Sequence, residues 1–408
     1  MTIPVNPDLS NLRINDSANT YHQPEAHIAA WATAVPLPIQ TEHFLEKCRE
    51  DRVRDGWTDA QVTMFETFVK SSNIKQRHTV HPFLLPKDVS AEDYPEAVGV
   101  MPYDIFADGA NPTMAQREAC FEHTAVKLAV ASAQRALKKW GKDKSNITHI
   151  ITTCTSGWRE PGIACAVIKE LGLSEDICKQ ELNYNGCFCG ASCLRLARDI
   201  VRGGLSGAVL VVACEVATTQ YNTTHSDMEL MVAQTLFADG SASIIVDREG
   251  EWMYTKTGGA VVPDSQHLLG LRPALDGESS YCMTLSKNVA SALYQYFATG
   301  NGRNIINRLW KEEDGERPAL AIHPGGPRIL EAVGKNFNAL GWKSDALEYS
   351  YDTLRNYGNL GCTALLFVLA DRLEKQNIQE DKLITMAFGP GVTVEYSMLQ
   401  RKSSVVKK

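Results

Sequence analysis

The chain has 408 residues, 44% hydrophobic and 22% charged, which is ordinary for a globular protein and enough to bury a large core as one big domain or two. A net charge of −7 argues against a general nucleic-acid or membrane-surface binder, while leaving room for a local basic patch facing a phosphorylated ligand. The polar start lacks the basic and apolar regions of a signal peptide and no apolar run spans a bilayer, so the 11 cysteines read as reduced thiols of a cytoplasmic protein, most of them small buried apolar residues.

In chain order, the first residues and the closing RKSSVVKK look like loose tails, here taken as residues 1–25 and 401–408. Between them helical patterns alternate with short apolar strands, which predicts an α/β protein. AVKLAVASAQRALKKWG reads as an amphipathic helix stopped by a glycine. ITHIITTCTSG, GAVLVVACE, SASIIVD, ALAIHPGG and KLITMAFGPG read as buried strands, several of them ending in small residues or turns. A strand, a tight glycine loop, a buried helix and a strand occur once around GCFCGASCLRLARDI and again around GNLGCTALLFVLADRL. Superposing the two units sets Cys187 opposite Asn359, and the end of the first strand, Cys154 and Thr155, near His323. The expected division is a half at 26–250 carrying the cysteine and a half at 251–400 carrying the histidine and asparagine.

Cys187, Cys189 and Cys193 have no second set of ligands nearby, which disfavours zinc, and cysteines as close as Cys187 and Cys189 bridge poorly. Cys189 and Cys193 read as small core residues. Cys187 follows an Asn-Gly turn and precedes the small residues that open an apolar helix, where the positive end of the dipole favours a thiolate. It reads either as packing or as a nucleophile; asparagine and cysteine two positions to either side disfavour the serine-hydrolase elbow. His323 stands before a Pro-Gly-Gly-Pro turn, and Asn359 between turn glycines. Alone, each reads equally as a loop residue; together with Cys187 they form a plausible nucleophile, base and oxyanion-donor set.

At these residues the chain resembles the type III polyketide synthases, the chalcone-synthase-like branch of the thiolase-fold condensing enzymes. The resemblance runs from about Ala26 to Leu399. It is carried by TCTSGWREPG, GCFCGASCLRLARD, TLFADGSASIIV, HPGGPRILEAV, YGNLGCTALLFVL and FGPGVTVE, in that order. It implies a duplicated thiolase-like αβαβα fold of five layers, a homodimer, and iterative decarboxylative condensation of malonyl-CoA onto an acyl-CoA starter. No cofactor or metal is implied beyond the coenzyme A thioesters themselves, and neither nucleic acid nor membrane insertion. Cys187 matches the acyl-carrying nucleophile, His323 and Asn359 the decarboxylation pair, and Phe237 the gatekeeper aromatic. Thr155, Ser156, Ala217, Gln220, Met283 and Gly361 match positions around the substrate cavity. Lys70, Lys75, Arg77 and Arg328 stand where coenzyme A phosphates would enter, although a solvated basic face explains such residues equally well.

The chain also departs from the plant enzymes. Gly361 stands where serine is common, Ala217 and Gln220 where threonines are common, and Glu160 where an apolar residue reaches into the partner's cavity. Glu160 is then either a solvent-facing cap or a substrate contact, and Glu160-Pro161 is a candidate cis peptide. The nearest alternative is a single-round ketoacyl carrier-protein synthase. A hydroxymethylglutaryl-CoA synthase would be expected to show a glutamate acid/base, for which this chain offers no match, and a noncatalytic thiolase-fold protein is disfavoured by the intact Cys, His and Asn.

Overall fold

Runs such as AVLVVACEV carry no polar alternation, so the strands that they form need cover on both faces. The computed structural model meets this need with helices on either side of its sheets and between them. It describes residues 24–204, 207–224, 227–273, 281–374 and 380–402. The first part holds β1 (His27–Ala34), β2 (Leu37–Gln40), α1 (Thr41–Arg54), α2 (Asp59–Ser71), β3 (Gln76–Thr79), α3 (Met114–Trp140), β4 (Ile147–Thr153), α4 (Ile163–Leu171), β5 (Cys178–Glu181), α5 (Cys189–Arg202), β6 (Ala208–Val216), α6 (Met228–Leu236) and β7 (Asp239–Asp247). The second holds β8 (Trp252–Val261), β9 (Leu269–Pro273), β10 (Tyr281–Leu285), α7 (Val289–Ala298), α8 (Gly300–Leu309), β11 (Ala319–Ile322), α9 (Pro327–Asn338), α10 (Glu348–Tyr357), α11 (Ala364–Glu374), β12 (Lys382–Gly389) and β13 (Thr393–Arg401). The tails expected from the sequence lie largely outside the described residues, and the last strand runs on to Arg401.

The strand order is β11-β12-β13-β8-β1-β7-β6-β4-β5. Apart from the extra edge strand β5, it reads the same from either end. Parallel β4–β6 and antiparallel β6–β7 on one side answer parallel β11–β12 and antiparallel β12–β13 on the other. The halves join where β1 meets β8 over two residue pairs. α5 and α11 lie against each other and against strands of both halves, and fill one shared core with Cys189, Cys193, Cys362 and Phe367. A second core lies under α3 and α4, and a third under α7, α8 and α9. This is the five-layer duplicated arrangement, with α5 and α11 as its middle layer.

The strands and the helix read from sequence are all present. α3 begins with a Thr113–Gln116 capping box and stops at Gly141 with φ +70°, a conformation that glycine adopts without penalty. Among the described residues, no helix is long and apolar enough to cross a membrane.

Candidate active site

The loop that feeds α5 is tight: Tyr184 and Gly186 both have positive φ, +61° and +84°. Cys187 ends that loop, two residues before the first helical residue. It is held from the other half of the fold. A side chain on Gly389 would stand 3.1 Å from the Cys187 nitrogen, and one on Gly186 2.4 Å from Pro390. The FGPG turn after β12 thus packs directly on the backbone of Cys187. The middle layer is equally close, since a Cβ on Gly190 would meet the Cys362 carbonyl oxygen at 2.3 Å.

His323 extends β11 by one residue, its N–H donating to the Met386 carbonyl at 2.8 Å. It is buried, and its Nδ1 has no protein partner. Asn359 is fixed at both ends of its amide. Its Nδ2 donates to the Gly325 carbonyl in the His323 loop at 3.2 Å, and its Oδ1 accepts from the Gly361 N–H at 3.0 Å. These partners assign the amide orientation, and one Nδ2 hydrogen remains for another acceptor. The Asn359 backbone bonds Leu236 and Ala238 on either side of Phe237. His323, Asn359 and Phe237 are therefore tied together through short loops.

Cys187 opens onto a cavity of about 1060 Å³, counting its open mouth. Thr155, Ser156, Ala217, Gln220, Phe237, Met283 and Gly361 line it, as do Glu215, Leu271 and Pro390. Glu160 does not line it: the residue is exposed, next to a cis Glu160–Pro161 bond and beyond the exposed Trp158. The sequence reading overlooked Glu215, a carboxylate ending an otherwise apolar strand. It is buried, and accepts from the Thr155 N–H (3.1 Å), the Ser156 N–H (2.9 Å) and the Cys362 N–H (3.1 Å). Three amide donors replace the water that this charge would otherwise need. Gly361 owes its identity to this carboxylate: it has φ +56°, and a Cβ would sit 2.8 Å from Glu215 Oε1.

The expectation of a dipole-favoured thiolate is corrected by the surroundings. Burial, and then the Glu215 charge, push the Cys187 thiol up to about 12. Burial pushes His323 down to about 3. Each group alone is held neutral.

The proposed basic entrance also changes. Arg77 is fully buried, stacked 3.9 Å from the Phe44 ring centre, and it donates to the Gln234 and Thr235 carbonyls near the end of α6. It cannot meet a phosphate in solvent. The reason lies in β3, which is buried on both faces, at Arg77, His78 and Thr79 alike. Lys70, Lys75 and Arg328 are exposed, Lys70 pairing with Glu66. Cys189 donates to the Leu182 carbonyl, and Cys193 is buried in the shared core, as core thiols.

Fold and site together define a thiolase-like α/β protein with a thiol at the foot of its central helix layer. Three solved structures share the fold. The C-terminal type III polyketide synthase domain of Steely1 from Dictyostelium is 23% identical, with TM-score 0.78 over 92% of this chain and 99% of that one. PKS-I from the brown alga Ectocarpus siliculosus is 20% identical, with TM-score 0.80 over 94% and 100%. The fungal type III polyketide synthase ORAS is 22% identical, with TM-score 0.75 over 92% and 100%. Residues 15–250 match the N-terminal domain model of the chalcone and stilbene synthases, and residues 278–403 the C-terminal one. The chain belongs to the chalcone and stilbene synthase family. It is an acyltransferase of the polyketide synthase class, a class that works on coenzyme A thioesters.

Proposed function

We propose that the protein condenses an acyl-CoA starter with malonyl-CoA over several rounds and releases a cyclised pyrone, resorcinol or related ring. The observation that carries this reading is the cavity at Cys187, lined by Phe237 and Gly361, the neighbours of an Asn359 whose amide is bonded to the His323 loop. His323 takes the proton of Cys187, which changes no net charge in the buried site. The thiolate attacks the starter carbonyl and expels coenzyme A, leaving a thioester. Malonyl-CoA then loses carbon dioxide, and the electron pair passes to an enolate whose oxygen is held by the free Asn359 Nδ2 hydrogen and by His323. The enolate carbon attacks the Cys187 thioester and frees the thiolate. The extended acyl-CoA reloads onto Cys187, releasing coenzyme A for the next round. Phe237 guards the passage between coenzyme A and the chain. Lys70, Lys75 and Arg328 are the remaining candidates for its phosphates. The scheme calls for no metal or redox cofactor.

In this reading the half at 26–250 carries the acyl chain and the half at 251–400 makes the enolate. A second copy covers the exposed edge strand β5 and the exposed Trp158 and Tyr184, bringing Glu160 toward the partner's cavity. If so, Glu160→Met alters product distribution while sparing malonyl decarboxylation. The deciding experiment is mass analysis of products from malonyl-CoA and a panel of starters. Products extended by two or more malonyl units support the scheme, and products that stop after one extension support a single-round synthase.

A further inference from the structure

The cavity wall is divided in its chemistry. Around Cys187 it has spare hydrogen-bonding capacity, because Thr155 Oγ1 and Gln220 Oε1 have no protein partner. The wall built from α1, the turn at residues 82–84 and α6 has far less. Phe44, Leu84, Leu230 and Ala233 present only hydrocarbon. The two polar side chains on that wall are already engaged. The Tyr221 hydroxyl donates to Asp51 Oδ2 at 3.0 Å and accepts from Arg52 Nη1 at 3.4 Å. Gln234 accepts from Arg52 Nη2 and donates to the Asn222 carbonyl, each at 2.7 Å, which leaves it one Nε2 hydrogen. Phe44, Leu84 and Tyr221 also belong to a hydrophobic cluster of their own. Tyr221 borders a second, small pocket with the charged Lys47, Asp51 and Arg54, so its ring partitions hydrocarbon from charge.

We propose, on the strength of the polyketide reading, that the starter is a fatty acyl group whose alkyl tail lies along this dry wall and ends against Tyr221. An alkyl tail needs no partner there. A hydroxylated aromatic starter would bury its phenol against a wall that offers one amide hydrogen and no acceptor for the phenol proton, at a cost that an alkyl chain avoids. The growing polyketide carries a carbonyl on alternate carbons and belongs on the side of Thr155 and Gln220. Thr155 can donate to a ketone, and Gln220 Oε1 can accept from an enol.

The test is a starter series: straight-chain acyl-CoAs from acetyl to palmitoyl, with cinnamoyl- and 4-hydroxycinnamoyl-CoA, each incubated with the full-length protein and malonyl-CoA. The proposal expects kcat/KM to rise by up to about fourfold per added methylene until the chain reaches Tyr221, and then to stop rising. Ala233→Phe fills the dry side, so the ratio of long-chain to acetyl turnover falls at least about tenfold. That ratio, taken within one preparation, does not depend on how much of the variant folds. Tyr221→Leu opens the partition and shifts the optimum to longer chains. A preference for 4-hydroxycinnamoyl-CoA over every alkyl starter, or an unchanged ratio in Ala233→Phe, overturns the proposal while leaving the polyketide reading intact. Failure to extend any starter, acetyl-CoA included, overturns both.

Discussion

The two halves of the molecule enter their central helices differently. α5 is entered from a loop with positive φ at Tyr184 and Gly186, and the residue left at its foot is a cysteine. α11 is entered through Gly361, also at positive φ, and the residue before that turn is an asparagine whose amide is bonded on both sides. One scaffold position thus carries a thiol in the first half and a hydrogen-bond donor in the second. In the proposed scheme duplication gives the geometry, and substitution at the loops gives the chemistry. Glu215 joins the two devices, accepting from Thr155 and Ser156 in one half and from Cys362 in the other.

The comparison breaks first at the acyl carrier. Incubation with an acyl-CoA starter alone should add one acyl mass to the Cys187 peptide. Cys187→Ala should lose that label entirely, while Cys189→Ser and Cys193→Ser keep it. A label on another cysteine removes the first half's role. Next comes Asn359→Ala, which should slow malonyl-CoA decarboxylation by roughly a hundredfold, the usual cost of an oxyanion donor. An unchanged rate of carbon dioxide release would return Asn359 to a turn residue.

The proton relation between the halves is read by alkylation of Cys187 across pH. Burial and the Glu215 charge hold the thiol at about 12, and burial holds the imidazole at about 3, so in the proposed scheme the reactive thiolate depends on His323 accepting its proton. Without that acceptor, the thiolate fraction below its pKa grows tenfold per pH unit. His323→Gln should therefore alkylate about tenfold or more slowly at pH 7, with a rate still climbing through pH 9. Equal profiles for the two proteins would show that His323 does not share the proton.

The smallest effect concerns Arg77. Arg77→Met removes donors from the Gln234 and Thr235 carbonyls and should lower unfolding free energy by about 2 kcal/mol, measured by denaturant titration. A selective rise in KM for coenzyme A thioesters, with stability unchanged, would restore the phosphate role that burial takes from it.

What could be read in the sequence follows from how each feature is encoded. Positive-φ turns require glycine or a few tolerant residues, so the loops at Gly186 and Gly361 mark themselves, and with them Cys187 and Asn359. Continuous apolar strands marked β4, β6, β7, β11 and β12. Glu215 left little trace, because its partners come from 59 to 147 residues away and two of the three are in one loop. Arg77 misled because β3 is buried at Arg77, His78 and Thr79 alike, and a polar four-residue run does not announce burial on both faces. The dry wall was hidden for a third reason: whether Tyr221 and Gln234 have spare hydrogen bonds depends on Asp51, Arg52 and Asn222, and no local pattern links these residues.

The most direct test of the division of labour is carbon dioxide release from malonyl-CoA by Cys187→Ala, measured beside product formation. In the proposed scheme the thiol belongs to one half and the enolate site to the other, so the variant should form no extended product yet continue to release carbon dioxide. Loss of both activities in a folded variant, or extended products at the wild-type level, would contradict it.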